Sequence, residues 1–170
     1  MNPYATKLRE LNAKRTKTVD DRVAIARVEF EGGMYYQEGI GPYIPAENLF
    51  RSLVNGARLI RAGKKVERGV FIATFMLPLL YEGPRDIDAL WGSGLSSPFV
   101  YLKTVTIAKS KVDRCRPIFH KWAIEAEVLL DPEIIELEEF AQIAQLAGEK
   151  EGIGDYRSVF GRYRPEIEKL

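Results

Sequence analysis

Residues 152–164, near the C-terminus, combine three glycines with three arginines and two tyrosines. Glycine allows the backbone to bend sharply or to approach a ligand closely. Free backbone N–H groups and guanidinium groups suit a phosphate chain, and aromatic rings suit unstacked bases. The stretch therefore predicts contact with a polyanion that carries bases, through Gly152, Gly154, Tyr156, Arg157, Gly161, Arg162, Tyr163 and Arg164. A tight turn before a last strand, with solvated arginines, is the alternative interpretation.

A second group of cations lies between two predicted strands, in residues 109–116. The sequence predicts this segment as a basic hairpin connection, with Lys111, Arg114 and Arg116 as further phosphate-binding residues. The acids that bring the net charge to only +1 are concentrated elsewhere, mainly in residues 125–139. Such segregation can give a nearly neutral protein one positive face. The alternative is that both signs of charge lie on solvated helix faces.

Histidine and cysteine, which serve most often as general bases, nucleophiles and zinc ligands, are scarce. His120 is the only histidine and Cys115 the only cysteine, which excludes His-rich and cysteine-based metal centres. His120 is a weak candidate for a general acid or base, and a structural or surface position is the commoner explanation. Cys115 lies between two arginines that favour its thiolate, although an exposed hairpin cysteine without a role is the simpler interpretation. No phosphate-binding loop, nucleophile elbow or zinc spacing occurs, so we predict no cofactor and no metal and favour a non-enzyme.

Length and composition indicate an ordinary globular protein. The chain has 170 residues, of which 46% are hydrophobic and 29% charged. No apolar run approaches the roughly 20 residues that span a bilayer, and residues 1–9 lack the apolar core of a secretory signal. A single cysteine fits a reducing compartment. We therefore expect a cytoplasmic protein without membrane contact.

Hydrophobic periodicity and punctuation predict the order of the elements. Thr18 caps a predicted helix that ends at Gly32 and Gly33, so residues 1–33 are predicted to form an N-terminal helical arm. Residues 34–170 are predicted to form one domain, with a strand at 34–36, a helix from Pro45 to Gly63, a strand at 70–75, a short helix capped by Asp86, strands at 99–108 and 118–130, a helix from Pro132 to Gly148, and a last strand at 159–163. This βαββαβ order predicts an α+β, ferredoxin-like fold, in which both main helices cover one face of an antiparallel sheet.

Two stretches together resemble motifs of the RAMP superfamily, the ferredoxin-like RNA-binding proteins of CRISPR effector complexes. Residues 41–49 resemble the opening of that superfamily's first helix, with Ala46 and Glu47 where its pattern has glycine and serine. Residues 152–163 resemble its glycine-rich loop, with Asp155 as an additional acid. The chain is also similar over nearly its whole length to uncharacterised bacteriophage proteins, which share the Tyr-x-Gly-Pro-Arg-Asp pattern of residues 81–86 and the C-terminal Gly-x-Gly-Asp-x-Arg pattern.

These resemblances imply an RRM- or RAMP-like sheet and a nucleic-acid ligand. We therefore expect a non-enzymatic, phage-encoded protein of the host cytoplasm that binds a single strand of RNA or DNA through the glycine- and arginine-rich loop and forms homo-oligomers along it. In this hypothesis the loop and the hairpin cations share one electropositive groove. A phage structural or assembly protein that does not bind nucleic acid, its helical arm docking on a neighbouring subunit, is the alternative. A metal-independent endoribonuclease using His120 is the third hypothesis.

Overall fold

The structure is a computed structural model that describes residues 3–107, 110–157 and 159–170. These residues form a mixed α+β fold with small antiparallel sheets. The helices are α1 (Pro3–Ala13), α2 (Val19–Gly32), α3 (Ala46–Arg58), α4 (Gly63–Gly69), α5 (Ile87–Trp91) and α6 (Leu137–Leu146). The strands are β1 (Tyr36–Gln37), β2 (Gly41–Pro45), β3 (Val70–Ile72), β4 (Met76–Pro78), β5 (Val100–Ile107), β6 (Ser110–Pro117) and β7 (Val128–Leu130). A π-helical turn, Ala147–Glu151, follows α6 directly.

Local sequence signals determine both ends of α2. The Asp21 N–H donates to Thr18 Oγ1 at 3.2 Å, and the Thr18 N–H donates to Asp21 Oδ2 at 3.0 Å. This reciprocal capping box satisfies two N–H groups that the first helical turn leaves unpaired. At the other end the Gly33 N–H donates to the Glu29 carbonyl at 2.9 Å. The helix predicted between Thr18 and Gly33 is therefore confirmed.

The described strands divide among three small sheets. The first has the order β1-β2-β4, the second pairs β3 with β7, and the third pairs β5 with β6. The β5–β6 hairpin is the longest ladder, running from Val100 opposite Pro117 to Ile107 opposite Ser110. The predicted α+β class is thus confirmed. A single ferredoxin-like sheet is not confirmed, because the described strands lie in three sheets.

The chain divides into two compact units. The first comprises the chain up to Tyr43 together with Pro78–Ala123, and the second comprises Ile44–Leu77 together with Ile124–Leu170. Apolar side chains of α2, α5 and β6 form the core of the first unit, and the buried faces of α3 and α6 lie in the second. The boundary predicted between residues 33 and 34 falls inside the first unit.

The predicted strand at 118–130 is wrong for most of its length. Before β7, the described backbone of this segment makes one isolated antiparallel bridge, with Ala123 opposite Leu80. Its side chains nevertheless alternate, since Ile124 is half-buried and Glu125 is exposed. An extended chain with one face inward shows a period of two whether or not it belongs to a ladder. The alternation therefore indicated extended backbone correctly and strand pairing wrongly.

Two predicted strand boundaries around the basic segment also change. β6 begins at Ser110, so most of the predicted hairpin connection at 109–116 is itself a strand. Residues 108 and 109, at which the predicted strand ends and the connection begins, lie outside the described residues.

The predicted last strand, at residues 159–163, is not found. Of residues 159–164, none is assigned to a strand in the structure.

Gly63 begins a helix rather than ending one. The helix that starts after Pro45 ends at Arg58, because Arg61 has a φ of 62°, which no right-handed helix accommodates. The Ala62 N–H returns to the Ala57 carbonyl at 2.8 Å, and α4 starts at the next residue. The predicted helix is therefore right at its beginning and wrong at its end.

The helix predicted from Pro132 begins later, at Leu137. Asp131 holds the preceding residues in a turn: its Oδ1 accepts the Glu133 N–H at 3.0 Å, and its carbonyl accepts the Ile135 N–H at 3.0 Å. An aspartate that bonds backbone groups just after it favours a turn over a helix. Within the described ranges, no helix is long and apolar enough to cross a membrane.

Candidate nucleic-acid interface

The glycine-rich stretch forms a closed loop after the π-helical turn. The Gly152 N–H donates to the Ala147 carbonyl at 2.8 Å, which ends that turn. The Ile153 N–H then donates to the Gly161 carbonyl at 2.9 Å. Residues 153–161, whose two ends meet through this bond, are called the C-terminal loop below.

The loop glycines have two different roles. At Gly161 (φ 76°) an added Cβ would lie 1.7 Å from the Ile153 carbonyl oxygen, and at Gly152 (φ 72°) it would lie 2.8 Å from the Gly161 oxygen. These two glycines therefore bring the ends of the loop together. Gly154 (φ 104°) has nothing within 4 Å of the position of an added Cβ. It is the loop glycine that leaves open space beside the main chain.

The middle of the C-terminal loop presents aromatic and basic side chains to solvent. Tyr156 is 48% and Phe160 44% exposed. Their ring centroids lie 5.5 Å apart in an edge-to-face arrangement, and the Phe160 N–H donates to the Tyr156 carbonyl at 2.9 Å. Arg157, between them in sequence, is exposed. An exposed aromatic pair of this kind offers flat surface on which an unstacked base can lie.

Tyr163 fixes the chain that leaves the loop. Its N–H donates to the Gly148 carbonyl at 3.2 Å, and its hydroxyl lies 3.1 Å from the hydroxyl of Ser52 on α3. Burial raises the pKa of Tyr163, and the hydrogen bond with Ser52 opposes that rise. The sequence predicts Tyr163 as a base-stacking residue, whereas the structure packs its half-buried ring against α3 and the π-helical turn.

A shallow depression that is wide open to solvent, named the basic cleft for its lining residues, lies beside this anchor. It has a volume of about 450 Å³ and is lined by Gly148, Glu149, Lys150, Arg162, Tyr163 and Arg164. Three of these residues are cations and one is a carboxylate. The Gln145 side chain donates a hydrogen bond to that carboxylate, Glu149. In the cleft, Arg162 and Arg164, which the sequence predicts as site residues, lie near Lys150, which it does not predict.

Lys150, Phe160 and Ser52 are the site residues that the sequence analysis does not predict. Lys150 lies between Glu149 and Glu151 at the end of a predicted helix, and nothing in that local pattern distinguishes it. Ser52 does carry a signal. It is a polar residue on the apolar face of α3 and is fully buried, and buried hydroxyls need a hydrogen-bond partner.

The hairpin cations lie in the first unit, and Arg114 there has a structural role. The carboxylate of Glu29 on α2 is only 5% exposed. It accepts a hydrogen bond from the Arg114 guanidinium and one from the Cys115 N–H at 2.8 Å. A buried charge of this kind requires such partners. Lys111 is exposed, and the Arg116 guanidinium donates to the Cys115 carbonyl at 3.0 Å.

The expectation of an exposed, readily ionised Cys115 is wrong. The strand period places this residue on the inward face of β6, where it is fully buried. Burial and the negative charge of Glu29 raise the pKa of the thiol from 9.0 to about 11, and the charge of Arg116 offsets only part of that increase. A protonated, inaccessible thiol is unreactive.

His120 lies exposed in a bend after β6. In the part of the chain that the structure describes, no three His, Cys, Asp or Glu side chains are grouped so as to hold a metal ion. The use of His120 as a catalytic acid or base stays a prediction.

Residues 81–86 form a turn that is also tied to its surroundings, since the Arg85 guanidinium donates to the Leu79 carbonyl and the Tyr81 ring packs against Phe99 and Phe119. The Tyr81 hydroxyl donates to the Pro84 carbonyl, and the Arg85 guanidinium lies 4.6 Å from the centre of the Tyr81 ring. Asp86 Oδ1 accepts two N–H groups of the first turn of α5, each at 2.9 Å. The predicted cap is therefore confirmed, and the contacts of this motif are structural.

No protein-family model matches the chain, and no curated protein or solved structure is detectably similar to it. The fold defines the class only as a mixed α+β protein. The relationship to RAMP or phage proteins stays a prediction.

Proposed function

We propose that this protein is a non-enzymatic binder of single-stranded nucleic acid, and that the C-terminal loop and the basic cleft form its binding surface. The observation that carries the proposal is the exposed Tyr156–Phe160 pair on a loop that leads directly into Arg162 and Arg164 of the cleft.

Each part of this surface suits one part of a nucleic-acid strand. Stacking of a base on an exposed aromatic ring contributes about 1–3 kcal/mol and requires a base that is not paired in a duplex. Lysine and arginine side chains neutralise phosphates without regard to sequence. Lys150, Arg162 and Arg164 line the cleft. The pattern therefore favours a single strand whose bases contact the loop and whose phosphates contact the cleft and Arg157.

The two arginines of the hairpin have a smaller part in this proposal than the sequence predicts. Arg114 compensates the buried charge of Glu29, and Arg116 bonds the backbone of its own strand. The proposed surface therefore lies within the second unit.

We also propose a RAMP-like, ferredoxin-related ancestry for the second unit. What supports it is that the helix opened by the first motif packs against the segment that carries the second motif. The Ser52 hydroxyl of α3 lies 3.1 Å from the hydroxyl of Tyr163, at the end of the second motif. The helix that begins at the first RAMP-like motif therefore contacts the second motif, as the proposed ancestry requires.

Fluorescence anisotropy with labelled single-stranded DNA, single-stranded RNA and duplex DNA, over a series of salt concentrations, tests the binding proposal. We expect the single strands to bind more tightly than the duplex. Arg157→Ala and Arg162→Ala should each weaken binding about tenfold and reduce the slope of log affinity against log salt by about 0.7, the value for one phosphate contact. Tyr156→Ala should weaken binding while leaving the slope unchanged, because stacking releases no counterions.

Arg22→Ala provides the matched control, since Arg22 is an exposed cation on α2. It should bind like the wild type. An affinity that does not vary with salt, or equal losses in Arg22→Ala and in the loop variants, would contradict the proposal.

A further inference from the structure

The two-stranded sheet of β3 and β7 is apolar on both faces. Phe71 lies opposite Leu129 in the ladder, so both side chains leave the same face. They are 63% and 53% exposed. On the other face Val70 is buried and Ile72 is half-buried. The inward face belongs to the core of the second unit, and the outward face leaves large apolar side chains in solvent.

On the outer edge of β3 the Val70 N–H donates to the Val66 carbonyl at the end of α4, while two other backbone groups have no partner among the described residues. The Ala73 N–H donates to the Glu127 carbonyl at 3.0 Å, and the Asp131 N–H donates to the Gly69 carbonyl at 2.8 Å, so residues 69 and 73 belong to hydrogen-bonded pairs with β7. Because such pairs alternate along an antiparallel ladder, Phe71 also directs its backbone groups toward β7, while the Ile72 N–H and the Val70 carbonyl point away from it. Among the described strands, β7 is the single neighbour of β3.

Charge distinguishes this edge from that of β7. If β7 paired with β7 of a second copy about Leu129, Glu127 would lie opposite Asp131 at both ends of the pair. Like charges placed directly opposite are destabilising, and acids beside a strand are a common protection of an edge. Beyond β3 the corresponding residues are Gly69 and Ala73, which carry no charge. The β3 edge is therefore the one that tolerates a second copy of this chain.

We propose that two copies of this protein associate through β3, in antiparallel register about a two-fold axis at Phe71. Each Ile72 N–H then donates to the Val70 carbonyl of the second copy, and the two small sheets become one of four strands. Leu129 and Phe71 of both copies form a continuous apolar ridge on one face. The interface is isologous and closes at the dimer. This proposal is independent of nucleic-acid binding.

In this register Phe71 of one copy lies opposite Phe71 of the second copy, so a single substitution changes both sides of the contact. Sedimentation velocity of the wild-type chain, without nucleic acid, should show a concentration-dependent monomer–dimer equilibrium. Phe71→Glu and Phe71→Lys should each raise the dimer dissociation constant at least about tenfold, since each places like charges in direct opposition. An equimolar mixture of the two variants should recover the dimer.

Circular dichroism will check that both variants fold, and Val19→Glu is the matched control. Val19 is an apolar residue 77% exposed on α2, and its substitution should leave the equilibrium unchanged. A monomeric wild type, growth of the wild type beyond a dimer, or failure of the mixture to recover association when both variants are folded would each overturn the proposal.

Discussion

Gly161 (φ 76°) and Gly154 (φ 104°) both have positive φ angles but opposite surroundings. A methyl group on Gly161 would collide with the carbonyl of Ile153, the residue whose N–H donates the loop-closing bond to Gly161, whereas one on Gly154 would enter open space. Glycine is therefore required at Gly161 for the loop to close, whereas at Gly154 it is required only because of the positive φ angle. Since the aromatic pair depends on this closure for its position, the distinction also bears on binding.

Alanine substitutions at these two positions should therefore differ. Gly154→Ala carries the strain of a left-handed alanine, about 1–2 kcal/mol. Gly161→Ala adds a backbone collision, and we expect it to lower the free energy of unfolding by at least about 2 kcal/mol more, or to disorder the loop instead. Urea unfolding together with amide NMR spectra of residues 153–161 will measure both. Equal effects of the two substitutions would contradict the assigned role of Gly161.

Residue-scale prediction from the sequence was best where a partner lies nearby in the chain. Asp86 and Thr18 bond groups two or three residues away, and their caps were predicted correctly. The surroundings of Cys115 were predicted wrongly. Its adjacent arginines are visible in the sequence, whereas Glu29, which bonds its N–H and raises its pKa, is 86 residues away. Charges that meet only through folding leave no local pattern.

At the scale of elements, periodicity indicated backbone conformation better than pairing. The helices α2 and α3 were predicted because capping residues and apolar stripes are local properties. Residues 118–130 alternate as a strand does, yet most of them have no strand partner in the described structure. Which extended segments form a ladder depends on contacts distant in sequence, so the division into three sheets was not predictable from the alternation.

The stabilisation that Asp21 contributes at the N-terminus of α2 depends on pH. The Lys14 ammonium, followed by the hydrogen bonds with Thr18, lowers the pKa of Asp21 from 3.8 to about 2. Because the folded protein binds this proton less tightly than the unfolded chain, the stabilisation is complete above about pH 4 and is lost as the pH falls toward 2. Asp21→Asn should therefore be less stable than the wild type near neutral pH, with the difference shrinking across that window.

Thermal unfolding of both proteins between these pH values will test the prediction. Asp20→Asn is the control, because Asp20 is an exposed acid in the same helical turn. It should follow the wild-type profile. A constant difference between Asp21→Asn and the wild type at every pH would show that the carboxylate charge does not stabilise this cap.

At the scale of the whole molecule, the two predicted basic clusters lie in different compact units. Lys111 belongs to the first unit, and Arg157 with the basic cleft belongs to the second. The net charge of the chain is only +1, so general attraction of a polyanion is weak and affinity must come from local groups. The single groove predicted from the sequence would require both clusters to contact one strand.

We expect the second unit to account for the affinity on its own. Lys111→Ala should change the dissociation constant for single-stranded DNA less than about twofold and leave the salt slope intact, whereas Arg157→Ala should weaken binding about tenfold. Both cations are exposed and their substitution should leave folding unchanged, so anisotropy titrations of the two variants are directly comparable. If Lys111→Ala instead lowers affinity and slope as much as Arg157→Ala does, one strand contacts both units and the shared groove predicted from the sequence is restored.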